Sequence, residues 1–459
     1  MTEKRAVILF TRIPVPGLTK TRLMPYYTPE QCAELHLCFL RDIRRNLSGI
    51  DADLFIYYAE PGDPAVLKEI FGNRLPRPRH GWIHGSGKIT YRLQVDLGLG
   101  ERMYQAMEDV LNEGYDSCVL TGTDLPDLTK EIFEDAFARL KTHDVVLGPT
   151  RDGGYYLIGS KAPQHVCFEN QVYGGSSVFE NTAAAVLNHG LSLSLAEVLH
   201  DVDTRSDLIH RLDRRRRHTE KPFLESDRYI AAHVKISVIV PVYNEIKLVR
   251  QIQRELKKKF SSCEVIFVDG NSADGTAEKI DEKYTRLKSE KGRAKQMNLG
   301  AQRASGDILF FLHCDSRLPK DPQREIRRVY ISNLAGCFKI GFPTKRFLML
   351  TNSILSNRRV KEDGIMFGDQ GIFIDRRLFM KMGGFPNIPL MEDYELSREL
   401  KRHGISIGMT RKKLISSDRR YPRSTKGTLR LMKKMYDMRQ MYLHGVSPEK
   451  LAEKYRDIR

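Results

Sequence analysis

Short β-branched apolar runs that stop at an acidic or polar residue recur along this chain, and they recur in both halves. In the second half, Ile236–Val240 leads into Pro241-Val242-Tyr243-Asn244-Glu245, Val265–Val268 into Asp269-Gly270-Asn271, and Ile308–Leu312 into His313-Cys314-Asp315. In the first half, Ala6–Phe10 leads toward Arg12, and Cys118–Leu120 toward Thr121-Gly122-Thr123-Asp124. Buried strands of a parallel sheet read as continuous apolar runs, and an open α/β sheet places its ligands beyond the carboxyl ends of its strands. The expected fold class is therefore α/β, with mostly parallel sheets flanked by helices. Two such sets in one chain suggest two consecutive chemistries on one substrate.

At 459 residues the chain is too long for one core, and two domains of roughly 220 residues each fit the usual size range. The expected division is 1–212, a linker over 213–234, and 235–459. The linker reading, with part of it helical, rests on the polar stretch Arg211–His233, whose run Arg214–Arg217 is read as solvated surface rather than a binding patch. Net charge is +17, from 75 Lys+Arg against 58 Asp+Glu. That balance favours anionic partners: nucleotides, phosphorylated sugars or, transiently, an anionic membrane surface. No nucleic-acid-binding signature accompanies it, so no nucleic-acid partner is expected. The seven cysteines are scattered, with no zinc-ligand or redox spacing; reduced thiols in a cytoplasmic protein are the expectation. The apolar run Ala6–Phe10 is too short for a signal peptide, and no segment approaches the roughly 20 apolar residues of a membrane span.

Further elements are legible. Thr28 caps a helix, Pro29 suits its first position, and Gln31 completes a capping box; Cys32, Leu35, Phe39, Leu40, Ile43 and Leu47 follow helical spacing. Strands are expected at Leu54–Tyr58, Val145–Leu147, Tyr155–Ile158, Phe338–Phe342 and Ile372–Ile374, with parallel βαβ wiring as the simplest solution. A helix over Glu392–His403 should end at Gly404, and the tail should be helical over Leu429–Tyr442 and Pro448–Tyr455, packed on its own domain.

In the second half, the turn carrying Pro241, Tyr243, Asn244 and Glu245 and the turn carrying Asp269, Asn271 and Asp274 follow consecutive strands and can meet around a base and ribose. The same Asp-Gly and Asn-Ser sequences are ordinary turn formers. Lys291, Arg293 and Lys295 open a helix, where cations and backbone amides suit a diphosphate; a solvated helix face is the bland alternative. Asp315 can hold a divalent ion bridging two phosphates, with His313 as a ligand or a hydrogen-bonding neighbour. Glu392 and Asp393 either complement the dipole of their helix or deprotonate an acceptor hydroxyl.

These motifs (PVYNE, VDGNSADGT, KGRAKQMNLGA, LHCDSRLP and GDQGIFI…GGFPNIPLMEDYEL) resemble family 2 glycosyltransferases of the GT-A fold. The likeness is greatest to the branch linked to radical-SAM/selenodomain clusters and arsenosugar biosynthesis. It implies a nucleotide held by the first strand end and Asp269, a metal on Asp315, and Asp393 as the base of an inverting transfer. Glu392 is its catalytic neighbour, and Arg419-Arg420 resembles a basic pair that steadies the leaving diphosphate. His313 stands where most such enzymes carry Asp, and Asp418 before the basic pair is unusual.

In the first half, Pro14–Leu23 follows the first strand. Gly17 permits close backbone approach, and Arg12, Lys20 and Arg22 add charge, which fits a triphosphate cradle or an ordinary basic turn. It is not a Walker loop. Asp124, Asp152 and Asp203 occupy strand-end positions that could share Mg²⁺ or Mn²⁺ with a nucleotide. Gly153 and Gly154 leave room for a ligand, and Asp127 reads as a turn or capping residue. TRIPVPGLTKTRL, DLGLGERM, TGTDLPDL, GPTRDGGYYLIG and DVDTRSDL resemble the DUF2064 group, similar to GT-A nucleotidyltransferases and also associated with radical-SAM/selenodomain clusters. The resemblance implies metal binding by Asp124 and Asp203 and triphosphate contacts by Lys20 and Arg22. The family often has Trp where this chain has Tyr173; the sole Trp, Trp82, lies in a Gly- and Pro-rich loop.

The expectation is a bifunctional transferase with two GT-A-like, Rossmann-like domains, using nucleotide-sugar and NTP substrates. The first domain would perform nucleotidyl or glycosyl transfer, and pathway enzymes would be its partners. The alternative makes the first domain a non-catalytic module that binds nucleotide or a partner.

Overall fold

The computed structural model describes residues 3–75, 87–217 and 222–456, which leaves the Trp82 loop outside the described residues. The chain divides into two compact units, Met1–Ile230 and Ala231–Arg459.

The first unit is built on seven strands: β1 (Arg5–Arg12), β2 (Asp53–Ala59), β3 (Ile89–Leu93), β4 (Ser117–Gly122), β5 (Val145–Pro149), β6 (Tyr155–Ser160) and β7 (Leu193–Leu195). Their order is β3-β2-β1-β4-β6-β5-β7. β1 pairs parallel with β2 and β4. Alternate residues of β1 enter different cores: Val7 and Leu9 one, Ala6, Ile8 and Phe10 the other. Both faces of the sheet are therefore covered, as continuous apolar strands require. The wiring departs from the all-parallel expectation at β6, which runs antiparallel to both β4 and β5. The connection Thr150–Gly154 is too short for a parallel crossover, so the chain must turn back. The capping box at Thr28 and Gln31 is present and opens the helix Pro29–Asn46.

The expected linker is largely helical, and its residues up to Ile230 belong to the first unit. Helix Arg205–Arg217 and helix Glu225–His233 cover most of it. Arg211 is fully buried and pairs with Asp127 and with Asp227, at 3.0 Å from the latter. Asp42 accepts the N–H groups of Glu225 and Ser226 at 2.8 and 2.9 Å. Asp127 is thus an ion-pair partner, not merely a turn residue.

The second unit repeats the plan with β8 (Ile236–Val242), β9 (Glu264–Asp269), β10 (Thr285–Lys288), β11 (Ile308–Phe311), β12 (Ala335–Gly341), β13 (Ile372–Asp375) and β14 (Ile407–Ile415). The order β10-β9-β8-β11-β13-β12-β14 is that of the first sheet strand for strand, and β13, like β6, runs antiparallel to both neighbours. Helix Glu392–Arg402 is followed by Gly404 at φ +68°. The tail forms helices Thr425–Leu443 and Pro448–Arg456, whose Met438 and Leu451 pack with Ile365, Met391 and Tyr394 of the same unit. Both units are GT-A-like α/β domains with mostly parallel sheets. Among the described residues no helix is long and apolar enough to cross a membrane.

Candidate active sites

In the first unit, the ends of β1 and β4 open on a cavity of about 510 Å³. Arg12, Lys20, Arg22, Asp124 and Asp203 all line it, so strand ends and the Pro14–Leu23 turn converge as expected. Lys20 sits at φ +50° with its side chain buried. Its ammonium donates to Asp124 Oδ1 at 2.7 Å, to Asp203 Oδ1 at 3.2 Å and to the Val202 carbonyl at 2.7 Å. An ammonium has three N–H groups, so all are taken and none is left for a phosphate. Burial works against this charge, but Asp124 and Asp203 outweigh it and leave the Lys20 pKa raised. Burial likewise opposes the Asp124 charge, and Lys20 outweighs it, so that carboxyl titrates lower than usual. Arg22 reaches Asp203 at 3.0 Å and is otherwise exposed. Arg12 is exposed and has no ion-pair partner among the described residues, so these two guanidiniums, rather than Lys20, are available to phosphates.

The sequence reading missed Asp201 and His36, which also line this cavity. Asp201 Oδ1 is buried without a hydrogen-bond partner. Burial, with Asp152, Asp203 and Asp124 adding to it, pushes that carboxyl up to about 7. The signal was present in His200-Asp201-Val202-Asp203, since alternate residues of an extended segment face one side. His36 is held neutral, at about 4, chiefly by burial.

Asp152, Gly153 and Gly154 do not line the cavity. Asp152 Oδ1 accepts from Thr150 Oγ1 and from the Gly154 N–H, closing the turn between β5 and β6. Gly153, at φ +91°, lies so near Ser176 that an added Cβ would fall 1.8 Å from the Ser176 carbonyl oxygen. The space the two glycines were expected to leave for a ligand is filled at Gly153 by the chain's own backbone. Gly17, at φ +85°, has open space around it but lies outside the cavity lining.

In the second unit, the two expected turns lock together. Asn244, at φ +54°, accepts the Ala273 N–H through Oδ1 at 2.9 Å, and its own N–H reaches Ser272 Oγ at 2.9 Å. Asp269 is buried at the end of β9 and accepts from the Ser272 N–H at 2.9 Å. Asn271 adopts φ +68°. Asp274 is committed to structure: it accepts from the N–H groups of Thr276 and Ile246. Pro241 lies within β8, and Lys291 stands 4.3 Å over the Tyr243 ring. Gln296, absent from the sequence reading, ties the strand ends together by donating to the carbonyls of Val242 and Val268, both at 2.8 Å.

Arg419 links this region to the expected metal residue. Its guanidinium holds Glu245 at 2.7 Å and Asp315 Oδ2 at 3.3 Å. Arg420 donates to the Tyr455 hydroxyl at 2.8 Å. The acidic pair opens helix Glu392–Arg402 on the adjoining wall. Asp393 Oδ2 accepts the Gly368 N–H at 2.7 Å, and Oδ1 accepts its neighbour Tyr394's N–H at 2.8 Å. Glu392 faces Arg293 at 3.4 Å. Burial is the largest influence on both carboxyls and raises both; Arg293 opposes the rise in each. His313 stands against Gly368, where a Cβ would come within 2.8 Å of Nε2, and that nitrogen is buried without a partner. Burial and the nearby arginines hold its pKa well below normal.

The donor chemistry of the first site fits a hard divalent cation, and in the second Asp315 offers carboxylate oxygens, one of them engaged by Arg419. Oxygen donors suit Mg²⁺ and Mn²⁺, and the first site offers the unpartnered Asp201 oxygen beside Asp203. Among the described residues no three acidic, histidine or cysteine side chains gather to hold an ion unaided. Phosphate oxygens of a nucleotide would have to complete the coordination.

The two GT-A-like units each gather acidic and basic residues at their strand ends. Residues 47–175 match the family described as "Uncharacterized protein conserved in bacteria (DUF2064)", and residues 237–328 match "Glycosyl transferase family 2". Part of each unit thus matches a family: the first unit the DUF2064 family and the second the family 2 glycosyltransferases. It is similar to a 2-phospho-L-lactate guanylyltransferase of Methanocaldococcus sp. (strain FS406-22), with 28% identity over 155 residues, 34% of this chain and 59% of that protein. It is similar to a dolichol-phosphate mannosyltransferase of Pyrococcus furiosus, with 30% identity over 97 residues, 19% of this chain and 28% of that protein. A solved structure from Desulfovibrio desulfuricans G20, described as a nucleotide-diphospho-sugar transferase, shares 29% identity. The likeness covers 50% of this chain and 99% of that one, with a TM-score of 0.43. The chain spans less than two thirds of the length of each of these two curated relatives.

Proposed function

We propose that the second unit transfers a glycosyl group from a nucleotide-sugar to an acceptor hydroxyl, with inversion at the anomeric carbon. The observation that carries this reading is Asp393: a buried carboxylate at the start of its helix, aimed by two backbone N–H groups, with burial raising its pKa. The acceptor O–H gives its proton to Asp393. The acceptor oxygen bonds to the anomeric carbon as the bond from that carbon to the diphosphate breaks, and the nucleoside diphosphate leaves with the electron pair. Arg419 and Arg420 oppose the charge on that leaving group. Asp315 would hold Mg²⁺ or Mn²⁺, which when bound neutralises diphosphate charge. Asp393→Asn is expected to lower transfer by about 10²–10⁴-fold with nucleotide affinity retained; transfer at the parent rate would overturn the assignment.

For the first unit we propose nucleotidyl transfer in the same pathway, supported by the cavity that Arg12, Arg22, Asp124, Asp201 and Asp203 share. A phosphate or carboxylate oxygen of the substrate would attack the α-phosphorus of an NTP, and pyrophosphate would leave. The spent donors of Lys20 favour a second reading, in which this unit binds nucleotide without turning it over. Pyrophosphate release that is lost in Asp124→Ala and kept in Asp393→Asn supports catalysis; NTP binding without release supports the binding module. The arsenosugar or related modified-sugar pathway, and pathway enzymes as partners, are supported by motif resemblance. The free cysteines support a cytoplasmic setting. The basic surplus supports transient contact with an anionic membrane surface, and failure to float with anionic liposomes would remove that reading.

A further inference from the structure

Two arginines beyond the catalytic acid pair have no role in the reading above. Arg359 lies on helix Phe347–Asp363, and Arg439 on helix Thr425–Leu443. Neither has a carboxylate within ion-pair distance among the described residues. Arg359 Nε is buried with no hydrogen-bond partner, and its guanidinium lies 4.3 Å over the Phe367 ring. Burial, with the charge of Arg439 adding to it, lowers the pKa of Arg359 to about 10 against the opposing pull of Asp369 and Asp393. Burial lowers Arg439 as well. Two half-buried cations that repel each other are costly; Asp369 and Asp393 offset part of that cost at Arg359, and an anion bound between the guanidiniums would offset more.

Their place in the fold says which anion. The nucleotide turns follow β8 and β9, on one half of the sheet. The helix of Arg359 packs on β12 and β14, on the other half, and against the helix of Arg439. Asp393 lies between, fixed by the turn that leads into β13. The acceptor hydroxyl must touch both Asp393 and the anomeric carbon, which leaves the rest of the acceptor to extend past Asp393 onto this half. Asp369 shares this wall and is pushed up to about 6, mainly by burial. The Tyr421 hydroxyl accepts from Asn352 Nδ2 at 2.9 Å, so its own hydrogen is free to donate.

We propose that Arg359 and Arg439 form an oxyanion subsite for the acceptor, which is therefore a small polyol or sugar carrying a phosphate or carboxylate group. This rests on the glycosyl-transfer reading of the second unit. Paired guanidiniums grip an oxyanion through parallel N–H bonds, and anchoring the charged end brings a hydroxyl of the same molecule to Asp393.

The test uses the full chain with saturating nucleoside diphosphate and Mn²⁺, and titrates glycerol 3-phosphate, glycerate and glycerol by calorimetry. Saturable binding of one of the two anions, and none of glycerol, is expected; the anion that binds identifies phosphate or carboxylate. Arg359→Gln and Arg439→Gln should each weaken that binding at least tenfold and leave nucleotide affinity unchanged. Arg411→Gln, which removes the same charge from an exposed site, should leave it unchanged. No saturable anion binding, or equal binding in all variants, would overturn the subsite. Failure of any nucleoside diphosphate to bind would instead overturn the glycosyl-transfer reading. If one variant fails to fold, the other carries the comparison.

Discussion

Lys20 shows how a residue can be located by its sequence while its partners within the fold stay hidden. The turn sequence placed it at the cavity, but the sequence does not reveal that Asp124, Asp203 and the Val202 carbonyl use all its hydrogens. In this arrangement the ammonium occupies the position between two carboxylates that a divalent ion would otherwise neutralise. Lys20→Met is therefore expected to tighten Mn²⁺ binding to the nucleotide-free protein, measured by titration in an Asp315→Asn background that weakens the second site. Unchanged Mn²⁺ affinity with weakened NTP binding would show that Lys20 is a phosphate ligand after all. Asp369 offers a test with pH. Its ordinary value is 3.8, and in the fold it titrates near 6, because burial outweighs the help of Arg359. Between about pH 4 and 6 the folded protein therefore binds more protons than the unfolded chain, and stability falls as pH rises through that window. The cost is complete above about pH 6 and is at most about 3 kcal/mol. Asp369→Asn should raise the urea midpoint at pH 7.5 and leave it unchanged near pH 3.5; equal midpoints at both would refute the account. Asp124 could be located because it follows an apolar run, and Asp393 because it opens a helix; the role of Asp203 was reached through the resemblance of its motif. Arg359, Arg439 and Gln296 were not, because interior helical positions carry no local mark of what they face.

At the scale of elements, central strands announced themselves and edge strands did not. β1, β4, β8 and β11 are buried on both faces and read as unbroken apolar runs. β10, with sequence TRLK and mostly exposed, has nothing to distinguish it from a loop; β7 and β14 are edge strands too. Charge misled in the same way at Arg211, the first residue of the polar stretch Arg211–His233. Helix Arg205–Arg217 is basic in sequence, but its Arg211 is an interior residue held by acids from two other segments. Removing one member of a buried ionic cluster costs about 3–5 kcal/mol. Arg211→Met should destabilise the first unit on that scale, read by chemical denaturation. A fragment ending at residue 212 should be less stable than one ending at 230, since only the longer one keeps Asp227 and the contacts of Asp42. Equal stability would mean that these helices are dispensable.

For the whole molecule, two units with separate cores should unfold as two transitions. A ligand that binds one unit should move one transition only, by about 2.7 kcal/mol at one hundred times its dissociation constant. Calorimetry with NTPs and then nucleotide-sugars checks this, and a single transition shifted equally by both would refute independent sites. The domain count was readable from length and from the two sets of strand-end acids; the matched strand order was not, because sheet order depends on pairings far apart in sequence. That shared order carries a hazard: a strand of one sheet has a counterpart of the same rank and direction in the other, so an exchange would meet few geometric objections. Every strand pairing of the first sheet closes before residue 200. At roughly 5–20 residues per second, the ribosome still needs on the order of ten seconds or more to deliver the rest of the chain. The earlier sheet can be sealed before its double exists, and the direction of synthesis keeps the two apart.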